Sequence, residues 1–328
     1  MAGDENMETK KRVLEILSCH DKPVSGTEIA NALGVTRNSV WKAVVKLKEQ
    51  GYEICTDSNG YRLLVNEDVL DEPNIKKHLK REHSLFIYKK ETSSNTVAKA
   101  LCQNGEVEGG IVIVESQTEG RGRMGRSFIS NSENGLYMSI ILRPKIRADK
   151  CVSITVAGAV AVAKAIEELS PVRCGIKWVN DIYIGDKKCC GILTEASMSF
   201  ETGGLEYAVI GIGVNLCKPK GGFDKEIEEI ACGVYENECP KGFKARLCAA
   251  IVNNFFDLYE NLESKDFIEV YKEKSIIIGS FVDVYVGDTV VSGIATDIDE
   301  DANLIVVDKA GKRHTFNSGE ARVRKAKI

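Results

Sequence analysis

A run of seven residues, Gly120-Arg-Gly-Arg-Met-Gly-Arg126, constrains this chain more than any other. It follows Gly110-Ile-Val-Ile-Val-Glu-Ser116, an apolar, β-branched stretch that predicts a buried strand. Glycines leaving a strand let an anion approach the backbone, because no Cβ stands in the way. Arginines add planar forks that grip phosphate or carboxylate through two parallel bonds. No helical pattern opens after Gly125, which argues against a dinucleotide fingerprint, and no Gly-Lys-Ser/Thr follows, which excludes a P-loop. The competing reading is an exposed Gly/Arg loop that binds RNA or merely keeps the chain soluble. The segment is short, non-repetitive and set between two strand patterns, so anion binding is preferred.

At 328 residues the chain is too long for one ordinary core and predicts two or three domains. The net charge of -4 gives no global pull toward nucleic acid, so any DNA contact must come from a local patch. Residues 1–12 are polar and lack the apolar core of a signal peptide. The longest weakly polar run, Val152 to Ala163, is well short of the roughly 20 residues a bilayer span needs. Eleven cysteines at irregular spacing, with no CxxC pair, lack zinc-site spacing. They are expected to be reduced thiols of a cytoplasmic protein.

Residues 8–64 predict a winged helix-turn-helix. Val13, Ile16 and Leu17 give Glu8 to Cys19 a helical period. Ser25-Gly-Thr-Glu28 fits a capping box for a second helix. Gly34-Val35 turns the chain, and Thr36 caps a third helix, Arg37 to Gln50, ended by Gly51. Val40, Val44 and Leu47 share one face of it. Thr36, Arg37, Asn38, Ser39, Lys42 and Lys46 are the candidate DNA contacts, with Arg and Asn near the helix start for base edges and lysines for phosphates. Strands at 52–56 and 61–64 around Asp57-Ser-Asn-Gly60 make the wing. The alternative is a small helical protein-interaction domain.

The first domain is placed at residues 1–66. An acidic segment, Asn66 to Pro73, opens a linker at 67–83, which contains a short basic helix at 75–82. A central α+β domain with a mixed sheet is placed at 84–275. It holds strands at 85–89, 110–116, 135–142 and 207–214. A buried helix is expected over Val152 to Leu169, and helices at 241–262 and 264–274 close the domain. Thr92-Ser-Ser-Asn95 opens a helix after the first of these strands. Its polar groups either cap that helix or hold a small polar ring. Lys177, in an otherwise apolar strand, either snorkels to the surface or meets a negative charge. Residues 276–328 alternate β-formers with tight turns and predict a small SH3-like barrel.

Taken together, Thr92-Ser-Ser-Asn95, Gln117 with Gly120 to Arg126, Lys177-Trp-Val-Asn-Asp181, Gly191-Ile-Leu193, Gly211-Ile-Gly-Val-Asn215 and Gly319-Glu-Ala-Arg-Val-Arg324 resemble the biotin protein ligases, in the bifunctional form that also represses biotin genes. The resemblance runs over nearly the whole chain and implies a central domain of class II synthetase type. It implies that ATP activates biotin to biotinyl-5'-AMP, and that biotin then passes to a lysine of a biotin carboxyl carrier protein. Arg121, Arg123 and Lys177 would be catalytic, offsetting charge where carboxylate meets α-phosphate. Ser93, Ser94, Asn95, Gln117, Arg121, Gly122, Arg123 and Lys177 would bind biotin. Arg123, Arg126, Asn180 and Asn215 would bind ATP, with Asn215 toward the adenine, and Mg²⁺ would accompany ATP with Asp181 as a contact. Operator DNA and a ligand-dependent homodimer are further implied partners, and no membrane is.

Four positions depart from the family pattern: Val179 stands where proline is common, Met124 where arginine is frequent, Phe128 where tryptophan occurs, and Ser94 where threonine is frequent. None removes a group the chemistry requires. The other readings are a lipoate-type ligase of related fold and a transcription factor that senses a small molecule without catalysis.

Overall fold

The computed structural model describes residues 2–20, 22–64, 67–130, 134–198 and 204–324. It divides into two compact units, one of Met1–His78 with Lys241–Ala245, the other of Leu79–Pro240 with Arg246–Ile328. Among the described residues no helix is long and apolar enough to cross a membrane.

The first unit begins with helices α1 (Ala2–Ser18), α2 (Gly26–Leu33) and α3 (Arg37–Glu49). Both expected caps are present: Ser25 Oγ accepts from Glu28 N and Thr36 Oγ1 accepts from Ser39 N, each at 3.1 Å. Gly34 supplies the left-handed turn between α2 and α3, at φ 66°. Val13, Leu17, Ile29, Val40, Val44, Leu47 and Ile54 form the core. The wing is an antiparallel pair, β1 (Glu53–Asp57) and β2 (Gly60–Leu64), in register from Glu53 with Leu64 to Asp57 with Gly60. A Cβ on Gly60 would sit 2.2 Å from Val24 O, so only glycine fits there.

The next helix differs from expectation. Helix α4 spans Glu72–Lys76, earlier and shorter than the expected 75–82. Asp71 Oδ1 accepts from Asn74 N at 2.8 Å, and Pro73 falls in the first turn, where its missing N–H costs nothing. The proline that reads as a boundary therefore starts the helix. Asn66, where the acidic segment opens, lies outside the described residues.

The second unit is built on a seven-stranded mixed sheet. Its strands are β3 (Leu85–Glu91), β4 (Ile111–Gln117), β5 (Gly135–Leu142), β6 (Gly175–Lys177), β7 (Asp181–Ile184), β8 (Lys187–Met198) and β9 (Leu205–Asn215). They lie in the order β3-β4-β5-β9-β8-β7-β6. Only β3 and β4 run parallel, and helix α5 (Ser94–Gln103) is the crossover that a parallel pair requires. Every residue of β5 is buried, and α6 (Val152–Leu169) is buried along most of its length, as its Ala/Val composition predicts. Helices α7 (Phe243–Tyr259) and α8 (Asp266–Glu273) follow.

The C-terminal segment corrects an expectation. It holds β10 (Phe281–Val286), β11 (Thr289–Ile298), β12 (Leu304–Asp308), β13 (Arg313–Phe316) and β14 (Glu320–Val323). They form one open antiparallel sheet in the order β13-β12-β11-β10-β14, and among the described residues no sheet closes into a barrel. Closure needs the two outer strands to exchange hydrogen bonds. Here β13 pairs with β12 while β14 crosses to β10, so these consecutive four-residue strands lie at opposite edges. Trp178, 3% exposed, ties this sheet's turn to the central domain, its Nε1 donating to Ala302 O at 2.9 Å.

Candidate functional site

The Gly/Arg run folds as a small hairpin. Arg121 bridges Ser127, Phe128 N donates to Gly120 O at 2.9 Å, and Gly122 N donates to Arg126 O at 2.7 Å. Its tip is a tight turn, with Met124 at φ 55° and Gly125 at φ 73°. A Cβ on Gly120 would lie 2.2 Å from both Phe128 O and Ser130 Oγ, so this glycine serves the hairpin's closure.

Two adjoining cavities meet at the hairpin. The first is lined by Ser93, Ser94, Asn95, Gln117, Arg121 and Arg123, among others, with Gly122 and glycine-bearing stretches of β8 and β9. The second is lined by Arg126, Lys177, Trp178, Asp181 and Glu320. Gly122, Arg123, Phe128, Asn180 and Lys188 line both. Lys177, expected with biotin, thus lies in the second cavity. Asn215 lines neither; it ends β9 opposite Gly135, with its backbone oxygen taken by Val234 N.

The polar groups at the start of α5 do not serve as its cap. Ser93 occupies the N-cap position without a side-chain capping bond. Gln117, from the end of β4, does that work instead: its Oε1 accepts from Ser94 N at 2.7 Å, and its Nε2 donates to Ser130 Oγ at 3.0 Å. Ser94 and Asn95 are held by Ser139, a buried hydroxyl on β5, at 2.8 and 2.7 Å. Gly211 makes room for this cluster, since a Cβ there would stand 2.2 Å from Asn95 Oδ1. Phe128 fills the space over Gly213, whose Cβ would meet its ring at 2.6 Å, and contacts Tyr137 edge-on. Phe128 thereby forms a wall of both cavities.

Arg123 Nη1 donates to Asn180 Oδ1 at 3.0 Å, and Asn180 is itself fixed on β8 by bonds to and from Ile192 at 2.9 and 3.0 Å. Lys177 stands 5.7 Å from the Tyr183 ring centre. Burial pushes the Lys177 ammonium below the ordinary lysine range, opposed by Asp181 and Glu320. It pushes the Arg123 guanidinium down as well, opposed by Asp181. Two desolvated cations facing one space form a site that an anion completes. Burial would raise the Glu320 carboxyl, but hydrogen bonds from Arg126 and Arg322 outweigh it and hold it down to about 2.

Lys188 has no place among the sequence-derived candidates, yet it lines both cavities and pairs with Asp181 Oδ1 at 2.7 Å. Asp186-Lys-Lys188 looks like a solvated turn, and nothing local marks its last lysine. Among the described residues no three His, Cys, Asp or Glu side chains group as a metal site. Asp181 therefore fits a Mg²⁺ ion only as one carboxylate beside phosphate oxygens and water, which is how that ion commonly binds.

In the first unit, Arg37, Asn38, Lys42 and Lys46 are exposed on α3, as DNA contacts must be. Thr36 and Ser39 also bond each other through their hydroxyls at 2.9 Å. Trp41, 54% exposed, lies among the basic residues.

Three family models match: "HTH domain" over residues 9–62, "Biotin/lipoate A/B protein ligase family" over 87–215, and "Biotin protein ligase C terminal domain" over 277–324. The bifunctional ligase/repressor BirA of Bacillus subtilis is 32% identical over 317 residues, covering 94% of this chain and 97% of that protein. The Escherichia coli protein of the same name is 24% identical, covering 92% of this chain and 93% of its own. The biotin protein ligase from Aquifex aeolicus, solved with biotin and ATP, superposes with a TM-score of 0.61 at 23% identity, over 74% of this chain and 99% of that one. The likeness to that structure concerns the fold, while the Bacillus relative spans both units. The chain belongs to the biotin protein ligases, in the group of bifunctional ligase/repressors.

Proposed function

We infer that this chain activates biotin with ATP to biotinyl-5'-AMP, transfers biotin to a lysine of a biotin carboxyl carrier protein, and represses transcription in response to biotin. Family membership supports the activity. The observation that carries the geometry is Arg123, which lines both cavities at their junction. The first cavity suits a small polar ring, and the second suits phosphates beside Lys177 and Arg126. A biotin carboxylate reaching the junction attacks the α-phosphorus, and the bond to pyrophosphate breaks. Arg121, Arg123 and Lys177 offset the charge that gathers there. A carrier lysine amine then attacks the acyl carbon and AMP leaves. In this proposal Ser93, Ser94, Asn95, Gln117 and Gly122 bind the biotin ring, while Arg126 and Asn180 bind the nucleotide. Asp181 would be the carboxylate to hold a Mg²⁺ ion accompanying ATP, and the ion would offset phosphate charge.

The proposal extends to a homodimer in the ligand-bound state, to a cytoplasmic location, and to operator contacts from Arg37, Asn38, Lys42 and Lys46. It keeps the domain limits expected from the sequence, 1–66, 84–275 and 276–328, with 67–83 as the linker. ATP–pyrophosphate exchange with the purified chain tests the core of it. Exchange that depends on biotin is expected. Exchange with lipoate instead would change the substrate, and exchange with neither would remove the activity.

A further inference from the structure

Helix α3 turns Val40, Ala43, Val44 and Leu47 inward. Trp41 stands between the first two, yet it is 54% exposed and takes no part in that core. Single exposed aliphatics are ordinary on a protein surface, but tryptophan is highly buried on average. The chain's other tryptophan, Trp178, follows that pattern, enclosed and with its indole N–H bonded. One turn back from Trp41 are exposed Arg37 and Asn38, and one turn on is half-buried Val45. Trp41 and Val45 therefore make an apolar step among the polar side chains that α3 presents to solvent. Lys48, two turns from Trp41 on the same stripe, donates to Thr56 Oγ1 of β1 at 3.2 Å. The step thus lies on the wing side of α3.

A recognition helix meets base edges in the major groove. Those edges are donors and acceptors with one apolar exception, the C5-methyl of thymine. An indole set against the polar edges would strip water from them and return too few hydrogen bonds. Against a methyl it loses nothing and buries apolar surface. Lysines on the same helix act on phosphates at any sequence, so they do not supply this choice.

We propose that Trp41 is a specificity-determining residue of the DNA-binding unit, forming with Val45 an apolar face that selects a thymine methyl one turn along the helix from the bases that Arg37 and Asn38 reach. The inference rests on the operator-binding reading above.

The test uses the full chain with biotin and ATP. The chain selects duplexes from a random-sequence pool, and the recovered duplex is labelled for anisotropy. Each thymine is then replaced singly by uracil, which pairs alike and lacks only the methyl. In the parent, at least one replacement is expected to weaken binding about three- to ten-fold. Trp41→Ala is expected to bind the thymine duplex about ten-fold more weakly and to be indifferent to that same replacement. Its slope of log affinity against log salt should equal the parent's, because no charge has been removed. Trp41→Leu retains apolar surface and should show a reduced penalty at the same thymine. A parent indifferent to every uracil overturns the proposal. So does a Trp41→Ala variant of unchanged affinity, one with an altered salt slope, or one that keeps the parent's penalty at that thymine, as packing on sugar or phosphate would give. If Trp41→Ala does not fold, the parent's uracil series and Trp41→Leu decide. A parent that selects no sequence brings down the operator reading and this inference with it. A selected duplex on which the variants keep the parent's uracil penalties brings down this inference only.

Discussion

A methyl group added at Gly211 would stand 2.2 Å from Asn95 Oδ1 and 2.8 Å from its Cγ. Asn95 cannot retreat, since three partners hold its amide. Gly211→Ala should therefore lower unfolding stability by about 1–3 kcal/mol, by urea titration, and raise the biotin KM in the same preparation. Lys177 offers a contrast. It is a partly buried cation whose charge burial disfavours, so Lys177→Met should cost no stability by urea titration while exchange activity falls about 100-fold. Part of this site is legible in the sequence because it is local. Ser93 to Asn95 and Gln117 to Arg126 are short runs of residue types that packing alone does not call for. Lys188 is not legible, because it takes its role from a partner that pairing brings near. Nor is the Glu195 carboxylate, which meets Asn95 from 100 positions away.

At the scale of elements, caps and strands follow from neighbours in the chain, and closure does not. Ser25, Thr36 and Gly34 bound α2 and α3 as their types dictate. The alternation that marks β10 to β14 says nothing about which edges meet, and the expected barrel is an open sheet. Pro73 shows that a breaker and a helix starter are the same residue until its neighbour Asp71 is considered. One contact between elements carries a pH prediction. Glu320 on β14 binds Arg126 of the hairpin, and its carboxyl lies at about 2 against a reference of 4.5. A depressed carboxyl contributes stability that is fully present above its unfolded value and is lost as pH falls through the folded one. Glu320→Gln should thus lower the urea midpoint at about pH 7, and the gap from the parent should close as pH drops from 4.5 toward about 2.

The whole molecule carries a net charge of -4, yet α3 presents Arg37, Lys42 and Lys46 to solvent. Operator binding from such a local patch should weaken steeply with salt, and Lys46→Ala should lessen the slope of log affinity against log salt by about 1. Anisotropy of a labelled operator duplex across a salt series checks this, with site preference expected to hold. Each unit also carries one of the chain's two tryptophans. Trp41 is open to water on α3, while Trp178 is enclosed at the wall of the second cavity. Their emission should differ in colour, red for the solvated indole and blue for the enclosed one. Unlabelled protein therefore contains two native fluorophores, one beside the proposed duplex contacts and one in the wall of the cavity proposed for the nucleotide, and a single titration cuvette can follow both.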